Sequence, residues 1–340
     1  MTSTLKRLLF LSAALLALPA TSSANPLVVR ASRPNYAESE VARPVVLAKE
    51  WAQFTLEYDY RSVTRYTDNN GNVHAADYKY RMSWLTLGMR YGFTRNLTLF
   101  LDIPYAVRSQ RTGGTDGNAA IDATGLGDAR FGFAWQFYTR EKESSLTSVA
   151  LQWDTKQPSG NESPGEAGNR RIPLGTGTTN SSLSVLAKQR FGIVAAQGHF
   201  GYVHKFSAVT QWVRDETGPA GLNGRIKPGD ELDAGIHLIV QPVNIAGVDG
   251  GIDWIRRNEA AIGHTSNGID PSSDLKTVAG SGFEAVNGTA RLLFEPSVNW
   301  TVSGGVIVPI KSYNSGFFFP LEDLSQSYGT TFVGSASFRW

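Results

Sequence analysis

The stretch Ala52-Gln53-Phe54-Thr55-Leu56-Glu57-Tyr58-Asp59-Tyr60-Arg61 puts Ala52, Phe54, Leu56, Tyr58 and Tyr60 on one parity and Gln53, Thr55, Glu57, Asp59 and Arg61 on the other. Successive side chains of an extended chain point to opposite faces, so this is a strand with one apolar and one polar face. The pattern returns in Leu97, Leu99, Leu101, Ile103, Tyr105 and Val107, which alternate with Thr98, Phe100, Asp102, Pro104, Ala106 and Arg108. It returns again in Phe131, Phe133, Trp135 and Phe137, set between Arg130, Gly132, Ala134 and Gln136.

Outward from these stretches, period two gives strands over about 50–66, 77–93, 97–108, 126–138, 146–156, 181–189, 194–206, 230–241, 246–256, 283–294, 300–310 and 328–340. The parity of the second changes at Trp84-Leu85, which predicts a bulge there. The connections alternate. Short ones lie at 94–96, 139–145, 190–193, 242–245 and 295–299, and long ones at 67–76, 109–125, 157–180, 207–229, 257–282 and 311–327. Short turns at one end and long loops at the other are the pattern of an all-β, up-and-down antiparallel β-barrel of about twelve strands that crosses a membrane. Strands of 9–11 residues suffice to cross the hydrocarbon core, and closure leaves no unpaired edge in lipid. A soluble sandwich or lipocalin-like barrel would show the same alternation. Against it stand the tryptophans on the apolar parity, taken to be Trp84, Trp135, Trp153, Trp254, Trp300 and Trp340, several near strand ends where an interfacial belt would lie. The chain also ends inside a strand, on Phe338 and Trp340, which resembles the assembly signal of Gram-negative outer-membrane barrels.

The N-terminus supports export. Lys6 and Arg7 precede the apolar run Leu8–Leu18, and Ser22-Ser23-Ala24 offers small residues to a signal peptidase, so residues 1–24 read as a signal peptide cleaved after Ala24. Residues 25–47, with Pro26, Pro34 and Pro44, read as an extended N-terminal segment, and 48–340 as the barrel. Lys6 and Arg7 also account for the whole formal charge of +2, and the balanced remainder argues against a nucleic-acid partner. No cysteine is present, which excludes disulfides, thiolate metal sites and cysteine nucleophiles.

The motif run Tyr91-Gly92-Phe93-Thr94-Arg95-Asn96-Leu97, Leu101-Asp102-Ile103-Pro104-Tyr105, Gly125-Leu126-Gly127-Asp128-Ala129 and Leu174-Gly175-Thr176-Gly177-Thr178 is similar to the outer-membrane transporter family named for the MetA pathway of phenol degradation. The resemblance covers most of residues 50–340. It implies an outer-membrane barrel of a Gram-negative bacterium that takes up aromatic or other hydrophobic compounds, without known catalytic or ligand residues.

On the barrel reading the polar parity faces the lumen. Its candidates for the solute path are Glu57, Asp59, Arg61, Lys79, Arg81, Asp102, Asp128, Arg130, Asp154, His199, Glu231, Asp233, His237 and Arg291, joined by Gln152, Lys188, Gln197, Asp249 and Asp253. Both signs occur, so they either orient solutes in a polar pore or neutralise one another in a packed interior. Phe317, Phe318 and Phe319 fall in the last long loop, where they either pack as a lid or line the mouth for an aromatic solute.

His264-Thr265-Ser266-Asn267-Gly268 resembles the His-x-Ser-Asn-Gly signature of outer-membrane phospholipase and lipid A deacylase, with His264 as base and Ser266 as nucleophile. It lies in a Gly/Pro/Ser-rich loop without an evident orienting partner, so a lipid hydrolase is the alternative reading and a non-enzymatic channel the leading one. A purely structural or adhesive barrel is a third. The five histidines share no short spacing, so neither a metal nor a cofactor is expected. The expected partners are outer-membrane lipid, lipopolysaccharide, the barrel assembly machinery and a small hydrophobic or aromatic solute.

Overall fold

The computed structural model describes residues 43–112, 120–142, 144–160, 166–167, 170–171, 174–175, 177–210, 224–263, 275–277, 279–314 and 329–340. Of these, the side chains at 76–80, 110–112, 120–121, 166–167, 170–171, 209–210, 224–226 and 262 are not described. All fall in one unit, Ala37–Trp340.

The strands of the main sheet are β1 (Ala52–Thr67), β2 (Val73–Gly92), β3 (Leu97–Thr112), β4 (Ala120–Leu126), β5 (Arg130–Lys142), β6 (Ser145–Lys156), β7 (Asn180–Phe191), β8 (Val194–Lys205), β9 (Glu231–Val243), β10 (Ala246–Arg257), β11 (Phe283–Ser297), β12 (Trp300–Tyr313) and β13 (Thr331–Arg339). All pairings are antiparallel and next-neighbour, and β1 pairs with β13, which closes the sheet on itself. β4 and β5 follow one another along the same side of β3: Tyr105–Arg111 pair with β4 and Leu97–Asp102 with β5. Thirteen strands therefore make twelve staves. This is the all-β transmembrane barrel that the alternation predicts.

Parity decides what each face meets. Phe54, Leu99, Trp135, Ile236 and Leu292 are exposed on the outside, Leu292 to 68%. Arg61, Asp128 and Asp154 are buried on the inside, Asp154 to 4%. Burying an apolar side chain of this size is worth about 1.5–3 kcal/mol, so a ring of them facing water would oppose folding, whereas lipid removes the penalty. Aromatics concentrate at the turn end: Phe54 stacks on Trp340 with centroids 5.0 Å apart, and Trp300 meets Phe338 at 4.9 Å. Pairs of this kind contribute about 0.5–1.5 kcal/mol each beyond area burial, and they sit where a membrane interface would cross the barrel.

Several expectations are corrected. The bulge expected at Trp84-Leu85 is absent: β2 runs in unbroken register from Tyr78 to Gly92 against β3, and its irregularity against β1 lies at Val63/Arg65. Trp84 faces inward, where it packs on Met82, Val63 and Leu174. The inner wall at the loop end is locally apolar, and that inverts the simple parity rule. Strand extends into the loops expected at 67–76 and 109–125, over 67, 73–76, 109–112 and 120–125. β1 and β2 pair up to Thr67↔Val73, leaving a tight turn at 68–72, and β3 pairs with β4 up to Arg111↔Ala120. Within the spans expected as loops at 207–229 and 257–282, residues Ala208–Thr210, Gly224–Lys227, Ala261–Gly263 and Lys276–Thr277 form a separate four-stranded sheet.

Candidate functional site: the barrel lumen

The turn end of the lumen is filled by the chain itself. Residues 43–47, expected as part of an extended tail, are packed: Arg43, Val46 and Leu47 are buried, Val46 to 2%. The segment crosses the bore from β11 and β12 to β6, β3 and β2. At its start Arg43 Nη1 donates to Glu295 Oε1 and reaches Thr301. Midway the Val45 amide donates to Ser148 Oγ at 3.3 Å, and Val46 packs on Ala134 and Ala150. Further on, the Leu47 amide donates to Thr98 Oγ1 at 2.8 Å, and the Glu50 amide donates to the Gly92 carbonyl at 2.7 Å. Small inward residues make the room. A Cβ on Gly92 would lie 1.9 Å from the Ala48 carbonyl oxygen. Around Glu295 the network continues: Thr301 Oγ1 donates to it at 2.8 Å, Gln241 Nε2 donates at 2.6 Å, and Arg339 Nη1 donates to Thr301 at 2.8 Å.

Above this floor the polar parity forms a belt. Arg130 grips Asp154 with two hydrogen bonds of 2.6 Å, and Ser182 donates to the same carboxylate at 2.5 Å. Arg90 and Arg130 flank the inward Phe100 ring at 5.6 and 5.9 Å, with Asp102 directly across from Arg130 in register. His199 lies 3.3 Å from Asp233. His237 is held between Asp249 and Asp253, each at 3.1 Å, and Thr289 donates to Asp253 at 3.1 Å. Glycines on neighbouring staves let these side chains lie flat on the wall: a Cβ on Gly235 would lie 2.4 Å from His199, and one on Gly251 would lie 2.4 Å from His237.

Two cavities open toward the loop end. One of about 490 Å³ is walled by Arg130, Asp154, His199, Glu231, Asp233 and Asp253, with Val203, Pro228, Trp254 and Ile255 among them. The other, about 340 Å³, is walled by Glu57, Asp59, Asp128 and Arg291 together with Trp84, Pro104, Leu174 and Val333. Arg61, Lys156 and Ile307 line both, so they are lobes of one vestibule. The motif segments around Gly127 and Gly175 meet here. Gly160 donates its amide to Asp128 Oδ1 at 3.1 Å, and Cβ atoms on Gly127, Gly160 or Gly175 would press on the facing chain at 3.1 Å or less. That close approach seats Leu174 against Ala106, Ala123 and Trp84.

Thus Glu57, Asp59, Arg61, Asp102, Asp128, Arg130, Asp154, His199, Glu231, Asp233, His237 and Arg291 all lie on the inner face. Arg81 does not. It is exposed and shares the outward parity of Leu85 and Leu87, because Met82, Trp84 and Thr86 take the inward positions. The Lys79 side chain lies outside the described residues, as do His264, Ser266, Phe317, Phe318 and Phe319. Residues the parity argument could have reached but did not are Lys156, Lys205 and Arg257, each the last residue of its strand and in phase with an inward carboxylate or histidine. Arg43, Glu295 and Leu174 carried no periodic signal that would mark them. Among the described residues no cluster of three or more His, Asp or Glu side chains could hold a metal ion.

No family model matches the chain, and no curated protein matches it. Solved structures do. An outer-membrane channel of Pseudomonas putida F1 is similar with a TM-score of 0.61 at 11% identity, over 87% of this chain and 97% of that one. The translocator domain of the autotransporter NalP from Neisseria meningitidis is similar with a TM-score of 0.44 at 10% identity, over 86% of this chain and 90% of that one. At such identities the likeness to the first is one of fold: an outer-membrane β-barrel.

Proposed function

We propose that this chain is a channel of the Gram-negative outer membrane, closed at its periplasmic end by its own segment 43–48, for the uptake of small solutes with an aromatic or other apolar body. The observation that carries this is the combination of an apolar outer face, a polar inner face and a two-lobed vestibule above a seated floor. A polar vestibule open at the loop end can admit water and, with it, a small solute. The short turns then face the periplasm, and the signal peptide and the C-terminal aromatic strand deliver the chain to the assembly machinery. The MetA-type family resemblance is in keeping with the solute class.

The test is flux. Proteoliposomes carrying the full mature chain should admit a small aromatic solute faster than empty liposomes. Rates equal to those of empty liposomes, for aromatic and hydrophilic solutes alike, would remove the channel reading. The reading is non-enzymatic, so purified protein should release no fatty acid from phospholipid or lipid A. Turnover that disappears in Ser266→Ala would replace it with the hydrolase.

A further inference from the structure

We propose that the smaller lobe of the vestibule binds a small organic anion with an apolar, single-ring body, its ring laid against Trp84 and its carboxylate turned toward Arg291 and Arg61. This rests on the channel reading and narrows its solute from hydrophobic compounds in general to aromatic acids.

Three observations lead there. First, the lobe is amphipathic. Trp84, Pro104, Leu174 and Val333 give it an apolar wall beside its charged side chains. Ligand sites are mostly apolar with a few polar groups that fix orientation, and at about 340 Å³ this one is at the small end of their roughly 300–1,000 Å³ range. A single ring suits that size.

Second, the polar part carries one more cation than carboxylates. Arg61, Arg108, Lys156 and Arg291 line it, against Glu57, Asp59 and Asp128. Asp128 is already turned to the Gly160 amide and to Lys156 at 3.7 Å. The buried Arg291 Nε has no hydrogen-bond partner among the described residues. Guanidinium groups recognise carboxylates through paired, charge-assisted hydrogen bonds.

Third, ring and charge recognition are adjacent. The Arg108 guanidinium lies over the Trp84 ring at 5.9 Å. One solute can therefore cover the apolar wall while its acid reaches a cation. Lys205, paired with Glu231 at 3.1 Å, and Arg257 end β8 and β10 at the loop end and line the adjoining lobe.

The test uses the full mature chain in detergent and equilibrium dialysis with benzoate, benzyl alcohol, benzylammonium and acetate, so that binding is read without relying on transport. Benzoate is expected to bind at least about ten-fold more tightly than the other three. Trp84→Ala should erase the preference over acetate. Arg291→Gln should erase the preference over benzyl alcohol, and Arg291→Lys should keep most of it. Retention of the heat-modifiable gel mobility of a folded barrel qualifies each variant. Equal affinity for benzoate and benzyl alcohol, a preference for benzylammonium, no binding, or full discrimination in folded Trp84→Ala and Arg291→Gln variants would each overturn the proposal. Benzoate binding without flux in liposomes would keep the site and remove the channel. Flux without benzoate binding would do the reverse.

Discussion

Glu295 shows what a single residue does in this lumen. Its side chain is fully buried (0% exposed) and accepts from Arg43, Gln241 and Thr301. Removing one partner of a buried, hydrogen-bonded pair costs about 3–5 kcal/mol, because the other charge is left uncompensated. Glu295→Ala should therefore release residues 43–48, read as faster amide exchange there, and lower the barrel's urea midpoint. The double variant Arg43→Met/Glu295→Met should regain most of the lost stability. Continued protection of 43–48 in Glu295→Ala would show that the ion pair does not seat the segment. Neither partner was legible in the sequence. Glu295 falls in a span read as a turn and Arg43 in one read as a tail, and their meeting is a contact across the bore that no periodicity reports. Trp84 failed for a different reason. Parity assigns apolar residues to lipid, and it misleads wherever the inner wall needs an apolar patch, as it does beneath Arg108 and Leu174.

At the scale of elements, the strand pattern was legible nearly throughout, since lipid outside and polar groups inside enforce period two on every stave. Strand length at the loop end was not, because there both faces meet water and the alternation fades. The hairpin of β1 and β2 is the clear case. Asp68 caps its turn: the amides of Asn70 and Asn72 donate to Oδ1 at 2.9 and 2.8 Å, and His74 Nε2 lies 3.0 Å from Oδ2. Gly71 takes the left-handed conformation, φ 81°, that the turn needs. His74 first, and then Asn72, hold the Asp68 carboxyl well below the usual carboxylate range. A carboxyl whose folded pKa is lowered adds stability above its unfolded value of about 3.9, and that stability is lost as pH falls through the folded value. The turn at 68–72 should thus keep its amide protection from neutral pH down past pH 4. Asp68→Asn should weaken that protection at pH 7 while leaving the barrel's unfolding unchanged. Equal protection in the two proteins at pH 7 would show that the charge is idle.

For the whole molecule, closure joins β1 to β13 and sets all five short turns at one end, with the floor segment beside them. An epitope tag inserted after Asn244, in the turn between β9 and β10, should be inaccessible on intact cells, whereas one in the β1–β2 turn at Asn70 should be labelled. The opposite pattern would invert the orientation. Of the lumen, the belt of charges was legible because it rides on strand parity, and the floor was not, because it is tertiary. The channel reading depends on both, so the decisive measurement is single-channel conductance in planar bilayers for the full mature chain and for Gly92→Ala. In that variant a methyl group would fall 1.9 Å from the Ala48 carbonyl oxygen and push the segment off its seat. The expected result is a low, mostly closed conductance for the wild type and a several-fold larger, longer-lived open state for Gly92→Ala. A folded Gly92→Ala barrel whose conductance matches the wild type, or the absence of conductance from both, would contradict a channel closed by its own N-terminal segment.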